Sequence, residues 1–211
     1  TKKIMKRNFS TDETLEKTIY FLIVLMPISL VSGPFFSDLS ATLITIFFLY
    51  LSIKNKYYFY YTNFFSKLFL VFYIILIATS ILSIDPLISL KKTIPFFRFW
   101  IFALAIWYIF KKKNNLPRHL IYSFVFIFTI LIIDGYIQFF TKENIFGWPM
   151  DGARLSSLFK DEYILGSYLS RMLPVFFGML ILTKFDRKKF LYFIFFIIFV
   201  GIETLIFLSG E

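Results

Sequence analysis

Residues 120–140 read LIYSFVFIFTILIIDGYIQFF, and Asp134 is the only charged side chain in this run. An α-helix rises about 1.5 Å per residue, so the run would be about 30 Å long, close to the thickness of the hydrocarbon core of a bilayer. A single charge in so long an apolar run is typical of a membrane span. The stretch therefore predicts a transmembrane helix.

The rest of the chain repeats this pattern. Its composition is 58% hydrophobic and its mean hydropathy is +0.74, well above ordinary soluble domains. A short amphipathic segment, 87–92, precedes one of the apolar runs. Further runs cover 18–31, 36–53, 68–82, 94–110, 163–182 and 190–208. We predict an all-α, multispan transmembrane helical bundle of about seven spans, forming a single transmembrane domain over residues 1–211.

The basic residues predict the orientation of these spans. Lys and Arg cluster in alternate connections, at 2–17, 54–67, 111–118 and 184–189. Because cytoplasmic loops carry the excess of Lys and Arg, the N-terminus is predicted to be cytoplasmic and the C-terminal end extracytoplasmic. The longest loop, 141–162, is then extracytoplasmic. The net charge of +10 is accounted for by these loops, so we expect no nucleic acid among the partners.

The sequence excludes several kinds of chemistry. It has no Cys, hence no disulfide, no thiolate metal site and no cysteine nucleophile. It contains no dinucleotide fingerprint, phosphate-binding loop, zinc-protease motif or nucleophile elbow. We expect neither a metal nor a cofactor. His119, the only histidine, falls in a predicted cytoplasmic loop and is a poor candidate for a catalytic base.

Four ionisable residues interrupt the apolar runs: Arg98, Asp134, Arg171 and Glu203. Each costs roughly 2.5–3.5 kcal/mol at the centre of a membrane helix, so such residues usually face the protein interior and mark a site. Counted from the ends of their spans, all four lie in the outer half of the membrane. Polar chemistry is therefore expected on the extracytoplasmic side.

Two interpretations of these charges remain open. In the first, Arg98 or Arg171 pairs with Asp134 or Glu203 and the pair only neutralises buried charge. In the second, Arg171, Arg98 and Arg154 of the long loop bind an anion, with Asp134 and Glu203 in supporting positions. The planar guanidinium suits a phosphate because it donates two parallel hydrogen bonds.

The stretch 152–174, GARLSSLFKDEYILGSYLSRMLP, also carries a family resemblance. It resembles the R-x-S-G-x-F-x-(N/D)-(P/E)-N-x-L-G-x-(Y/F)-L pattern of bacterial O-antigen ligases and polymerases. This chain departs from the pattern at Ser157, where many members have Gly, and at Tyr163, where many have Asn. The residues that match are Arg154, Phe159, Asp161, Glu162, Leu165, Gly166, Tyr168 and Leu169, followed by Leu173 and Pro174. The final Leu208-Ser209-Gly210-Glu211 resembles the start of the next family block.

The resemblance implies a membrane glycosyltransferase of lipopolysaccharide or surface polysaccharide biosynthesis in the bacterial inner (plasma) membrane. Such enzymes transfer a glycan from undecaprenyl diphosphate to a hydroxyl of lipid A-core or of a second glycan, without a metal. Periplasmic arginines engage the diphosphate, and only Arg154 is carried over from the pattern. The family's histidine base lies in a large loop, which we expect beyond residue 211. The chain would then correspond to the N-terminal part of such an enzyme, inactive by itself.

A multispan transporter or flippase for a lipid-linked or anionic substrate is the alternative. It predicts broken helices with a polar site near the midplane and an internal repeat. The apolar runs are mostly uninterrupted, their charges are off-centre, and the sequence shows no repeat. A structural membrane subunit without chemistry is a third, weaker possibility. The choice between ligase and polymerase stays open.

Overall fold

The fold is described by a computed structural model that covers residues 2–150, 152, 154–160, 162–183 and 189–210. Within these residues it contains α-helices and short 3₁₀ turns and no β-strand, which confirms the all-α prediction. The helices are α1 (Lys2–Val31), α2 (Pro34–Asn55), α3 (Phe64–Ile81), α4 (Pro86–Thr93), α5 (Phe97–Lys112), α6 (Leu116–Thr141), α7 (Leu165–Leu182) and α8 (Lys189–Ser209).

Seven segments of the described chain are helical, long and apolar enough to cross a membrane. α4 and α5 together form one of them, Pro86–Lys112, and α1 contributes its part from Thr11 onward. The predicted number of spans is therefore confirmed, and the chain is a multi-pass membrane protein. The orientation of the termini stays a prediction.

The burial pattern of α3 fits a lipid environment. Its buried residues are Ser66 and Ser80, both polar. Its apolar side chains point outward, and Phe64 and Phe65 are 72% and 76% exposed. Water would penalise this arrangement, whereas lipid tails are as apolar as the side chains that contact them. The helix is thus suited to a bilayer in sequence and in packing.

The chain divides into two compact units. The first comprises the chain up to Ile23 together with Asp38–Asn114, and the second comprises Val24–Ser37 together with the chain from Asn115 onward. The prediction of a single transmembrane domain stays a prediction.

Aromatic side chains fill the first unit. Phe69 of α3 stacks on Trp100 of α5 with ring centroids 5.7 Å apart, and Phe48 of α2 lies 5.7 Å from Tyr108 of α5. The fourth span is interrupted by a 3₁₀ turn at Ile94–Phe96, where Pro95 supplies no backbone N–H. Tyr73 of α3 donates a hydrogen bond of 3.0 Å to the carbonyl oxygen of Ile94 and so satisfies one group of this break.

In the second unit, α6 packs against both α7 and α8. Phe128 and Leu131 of α6, Phe176 of α7 and Ile202 of α8 are almost completely buried in this core. Two buried polar side chains of α6, Asp134 and Gln138, lie near its C-terminal end.

Candidate functional site

The loop that follows α6 is bound to the helix by the buried carboxylate of Asp134, which is 0% exposed. Its Oδ1 accepts a hydrogen bond of 2.9 Å from the backbone N–H of Ile145. Its Oδ2 accepts one of 2.6 Å from the hydroxyl of Ser157. Asp134 therefore connects both ends of the loop to the last turns of α6.

Gln138, one helical turn further and also 0% exposed, holds the same loop. Its Oε1 accepts from the backbone N–H groups of Ser156 and Ser157, at 3.1 and 2.7 Å. Its Nε2 donates to the hydroxyl of Ser156 at 3.3 Å and to the carbonyl of Trp148 at 3.4 Å. The buried side-chain polar atoms of Asp134 and Gln138 are thus hydrogen-bonded to loop atoms that would otherwise lack a partner.

Asn144 completes this network from within the loop. Its Oδ1 accepts from the backbone N–H groups of Phe146 and Trp148, at 3.0 and 2.8 Å. Its Nδ2 donates to the carbonyl of Ser157 at 3.0 Å. We call Asp134, Gln138, Asn144, Ser156 and Ser157 the loop anchor. The sequence singled out Asp134 but not the three loop residues, because ordinary loop polarity gives no sign of a distant partner.

Ser157 has a φ of 47°, in the left-handed region that favours glycine. This is the position at which the O-antigen ligase and polymerase pattern has Gly. The hydrogen bonds that Ser157 makes with Asp134, Gln138 and Asn144 hold this unfavourable backbone conformation.

Arg154 precedes the anchored serines and is exposed. Its guanidinium makes no hydrogen bond or ion pair with any residue that the structure describes. Residues on both sides of it are fixed in place: Leu155 is 0% exposed, and Gly152 has a φ of 59°. An exposed guanidinium on a loop held by buried hydrogen bonds is suited to bind an anion.

Arg171 of α7 and Glu203 of α8 are also exposed. Neither pairs with a described residue, and the carboxylate of Asp134 is occupied by the loop. The interpretation in which Arg171 neutralises Asp134 or Glu203 is therefore not what the described contacts show. Asp161 of the family pattern lies outside the described residues.

Arg98 belongs to the first unit, where it pairs with Asp38 of α2. Both nitrogens at the tip of its guanidinium contact the carboxylate, and the distance between Nη1 and Oδ2 is 2.9 Å. Nη1 also donates to the hydroxyl of Thr42 at 3.3 Å, and the guanidinium lies 4.9 Å from the ring centroid of Phe99. A charge pair was expected here, but its acid is Asp38, which the sequence analysis missed. As an anion ligand, Arg98 would have to exchange this partner.

A cavity of about 540 Å³ lies beside the loop in the second unit. The turn between α1 and α2 forms one wall, with Ser32 and Phe36, and Leu158, Lys160 and Glu162 form the other. Cavities of this size are typical of small-molecule sites. Nζ of Lys160 lies 5.3 Å from the ring centroid of Trp148. The cavity wall next to the anchored loop therefore carries one basic residue, Lys160, and one acidic residue, Glu162.

The described residues include no group of three or more His, Asp or Glu side chains arranged to hold a metal ion. His119 is exposed in the first turns of α6, and its ring centroid lies 6.5 Å from that of Tyr122. It is therefore at the opposite end of α6 from the loop anchor.

No family model, no curated protein and no solved structure matches this chain.

Proposed function

We propose that this protein is an O-antigen ligase-like membrane glycosyltransferase. It moves a glycan from undecaprenyl diphosphate to a hydroxyl of lipid A-core, or of a second glycan, on the periplasmic face of the bacterial inner membrane. The observation that carries the proposal is Arg154, an exposed guanidinium with no partner among the described residues, on a loop fixed by Asp134 and Gln138. Ser157 adds support, because it adopts a glycine-like conformation where the resembled pattern has glycine.

The proposed chemistry is a glycosyl transfer with a diphosphate leaving group. The acceptor oxygen attacks the anomeric carbon, the bond from that carbon to the diphosphate oxygen breaks, and undecaprenyl diphosphate leaves with the electron pair. Arg154 donates hydrogen bonds to the diphosphate and stabilises the charge that develops as the bond breaks. The acceptor proton goes to a general base, which is a histidine in the family that the sequence resembles.

The other charged residues have graded roles in this proposal. Arg171 is a second diphosphate ligand, because it is exposed and without a described partner on α7. The sequence-based prediction of diphosphate ligands also includes Arg98, which Asp38 holds within the first unit. Asp134 is a positioning residue that holds the loop bearing Arg154, and Glu203 is a supporting residue on α8. The cavity beside Lys160 offers room for a sugar of the donor or acceptor.

A transfer assay with the full-length protein, a lipid-linked glycan and an acceptor tests the role of Arg154. We expect Arg154→Ala to lower transfer by roughly 10²-fold, the usual effect of removing one donor to a developing anion, and Arg154→Lys to lower it less. Arg118→Ala is the matched control, because Arg118 is also an exposed arginine. Wild-type transfer by Arg154→Ala would refute the diphosphate role.

One observation favours the alternative of a transporter or flippase. The fourth span is broken at Ile94–Phe96, and the pair formed by Arg98 and Asp38 lies directly beyond the break. Discontinuous helices are a common way to build a substrate site within a membrane. The two functions differ in their product: a flippase moves the lipid-linked glycan across liposomes without an acceptor and leaves the glycosidic bond intact.

A further inference from the structure

An apolar groove of about 610 Å³ lies between α3 and α5 in the first unit. Its walls are largely aromatic, with Phe65 and Phe69 from α3 and Phe96, Trp100 and Trp107 from the fourth span. The polar atoms of Trp100 and Ser66 in these walls are already paired with the protein. The indole N–H of Trp100 donates to the hydroxyl of Ser66 at 3.1 Å, and that hydroxyl donates to the carbonyl of Tyr60 at 3.2 Å. The groove therefore offers contact to a hydrocarbon and few hydrogen bonds.

The groove has the length of one leaflet. From Phe96 to Trp107 the chain advances about 16 Å at the rise of an α-helix, which is about half of a 30 Å hydrocarbon core. Asn63, which caps the start of α3, lies at the same end of the groove as Trp107. α3 begins and α5 ends at that end, so the groove runs from the predicted membrane surface towards the midplane.

A fixed cation lies at the surface end. Nζ of Lys111 is 4.5 Å from the ring centroid of Trp107, 4.7 Å from that of Phe59 and 5.8 Å from that of Tyr60. The partly buried ring of Tyr60 offers its face to the ammonium group. Lys111 has no carboxylate partner among the described residues, whereas the neighbouring Lys112 pairs with Glu16 at 2.5 Å.

We propose that this groove binds one acyl chain of an anionic phospholipid, with the lipid phosphate at Lys111. A hydrocarbon tail matches the apolar walls and the length of one leaflet, and a phosphate matches the unpaired cation that shares Trp107 with the groove. A further transmembrane helix fits less well, because close helix packing uses small residues and the groove walls are mostly aromatic. The groove lies at the predicted cytoplasmic surface, so the proposal is independent of the glycosyl transfer proposed above.

Photolabelling of the purified protein in nanodiscs tests this site. Phosphatidylglycerol and phosphatidylcholine, each with a diazirine on one acyl chain, are the probes, and the labelled peptides are mapped by mass spectrometry. We expect phosphatidylglycerol to label the groove residues of α3 and α5 about fivefold more than phosphatidylcholine does, the effect of one lysine near an anionic headgroup. Equal labelling by the two lipids, or labelling spread evenly over all lipid-facing helices, overturns the proposal.

Variants separate the tail site from the headgroup site. Lys111→Gln should remove the preference for phosphatidylglycerol, while Lys56→Gln, an equal loss of charge at another exposed lysine on the same predicted surface, should preserve it. Ala103→Leu fills the groove from an exposed helical position and should lower labelling by both lipids. A preference that survives in Lys111→Gln contradicts the assignment. Displacement of the probe by undecaprenyl phosphate but not by unlabelled phosphatidylglycerol would assign the groove to the carrier instead.

Discussion

A carboxylate and an amide buried in an apolar helix destabilise it unless each polar atom has a partner. Asp134 and Gln138 meet this condition with partners outside their own helix. These partners are backbone N–H groups of the loop, which need an acceptor as much as the side chains need a donor. Each group satisfies the other, so the cost of burial is offset and the loop acquires one conformation. Arg154 lies two residues before Ser156 of this network, so the position of its backbone is restricted as well.

Replacement of Gln138 by Met tests the loop anchor. The variant keeps the shape of the side chain but leaves the N–H groups of Ser156 and Ser157 without an acceptor, at a cost of about 1–3 kcal/mol. We expect faster hydrogen exchange in residues 142–150 and 154–160, with little change in α7. Ile137→Met is the control, because it introduces the same side chain at the neighbouring, exposed position. Unchanged exchange in the loop of the Gln138 variant would show that the anchor does not hold it.

Sequence reasoning located the charged residues of the apolar runs but not their partners, and the roles of these residues in a site stay predictions. It recognised that Arg98 and Asp134 need partners because both lie in apolar runs. It did not find Asp38, which lies two residues inside the predicted span 36–53 and pairs with Arg98. It also could not assign Asp134 to Ser157, since a contact between a helix and a loop 23 residues away leaves no periodic signal.

At the scale of the elements, two glycines allow α6 and α8 to approach closely. A Cβ atom added at Gly135 would lie 2.9 Å from Cδ2 of Leu205, and one added at Gly201 would lie 2.9 Å from Cδ1 of Ile132. Small residues at helix contacts are a general means of association within membranes. Tyr136 and Thr204, whose hydroxyls are hydrogen-bonded, join the same two helices.

Gly201→Val should therefore separate α6 from α8. Its branched side chain collides with Ile132, and overpacking of this kind costs about 1–3 kcal/mol. Gly178→Val in α7 is the control, because no atom lies within 4 Å of a Cβ atom added there. Thermal unfolding in detergent should show a lower midpoint for Gly201→Val than for Gly178→Val. Equal midpoints would mean that the contact contributes little to stability.

Apolar runs predicted the helices well where the whole helix spans the hydrocarbon core, because the run and the helix then have the same length. The run 120–140 became Leu116–Thr141, and the run 190–208 became Lys189–Ser209. The prediction failed to show the 3₁₀ turn at Ile94–Phe96, because hydropathy does not register a change of helix type. The run 18–31 corresponds to the apolar part of α1, and the polar residues before Thr18 extend this helix to Lys2.

At the scale of the whole molecule, large apolar side chains are widely exposed, among them Ile84, Leu82 and Phe207 at 101%, 84% and 86%. A monomer in water rarely exposes extended apolar surface, so this distribution requires lipid around the described helices. Composition alone predicted this environment. It did not determine which surface of each helix faces the lipid, because most of the runs are apolar on all sides.

The two proposals depend on opposite membrane surfaces, so the orientation of the chain is the most consequential prediction. Lys and Arg in 111–118 predict a cytoplasmic loop, and the connection with Arg154 is then extracytoplasmic. The chain has no native Cys, so single cysteines can be labelled selectively. We expect a membrane-impermeant maleimide to label Phe146→Cys in spheroplasts and to label Asn114→Cys only after permeabilisation. Both positions are exposed, so a difference in labelling reports the membrane side. Reversed labelling would place Arg154 on the cytoplasmic face and exclude its role in a periplasmic transfer, while it would leave the groove at Lys111 intact but in the other leaflet.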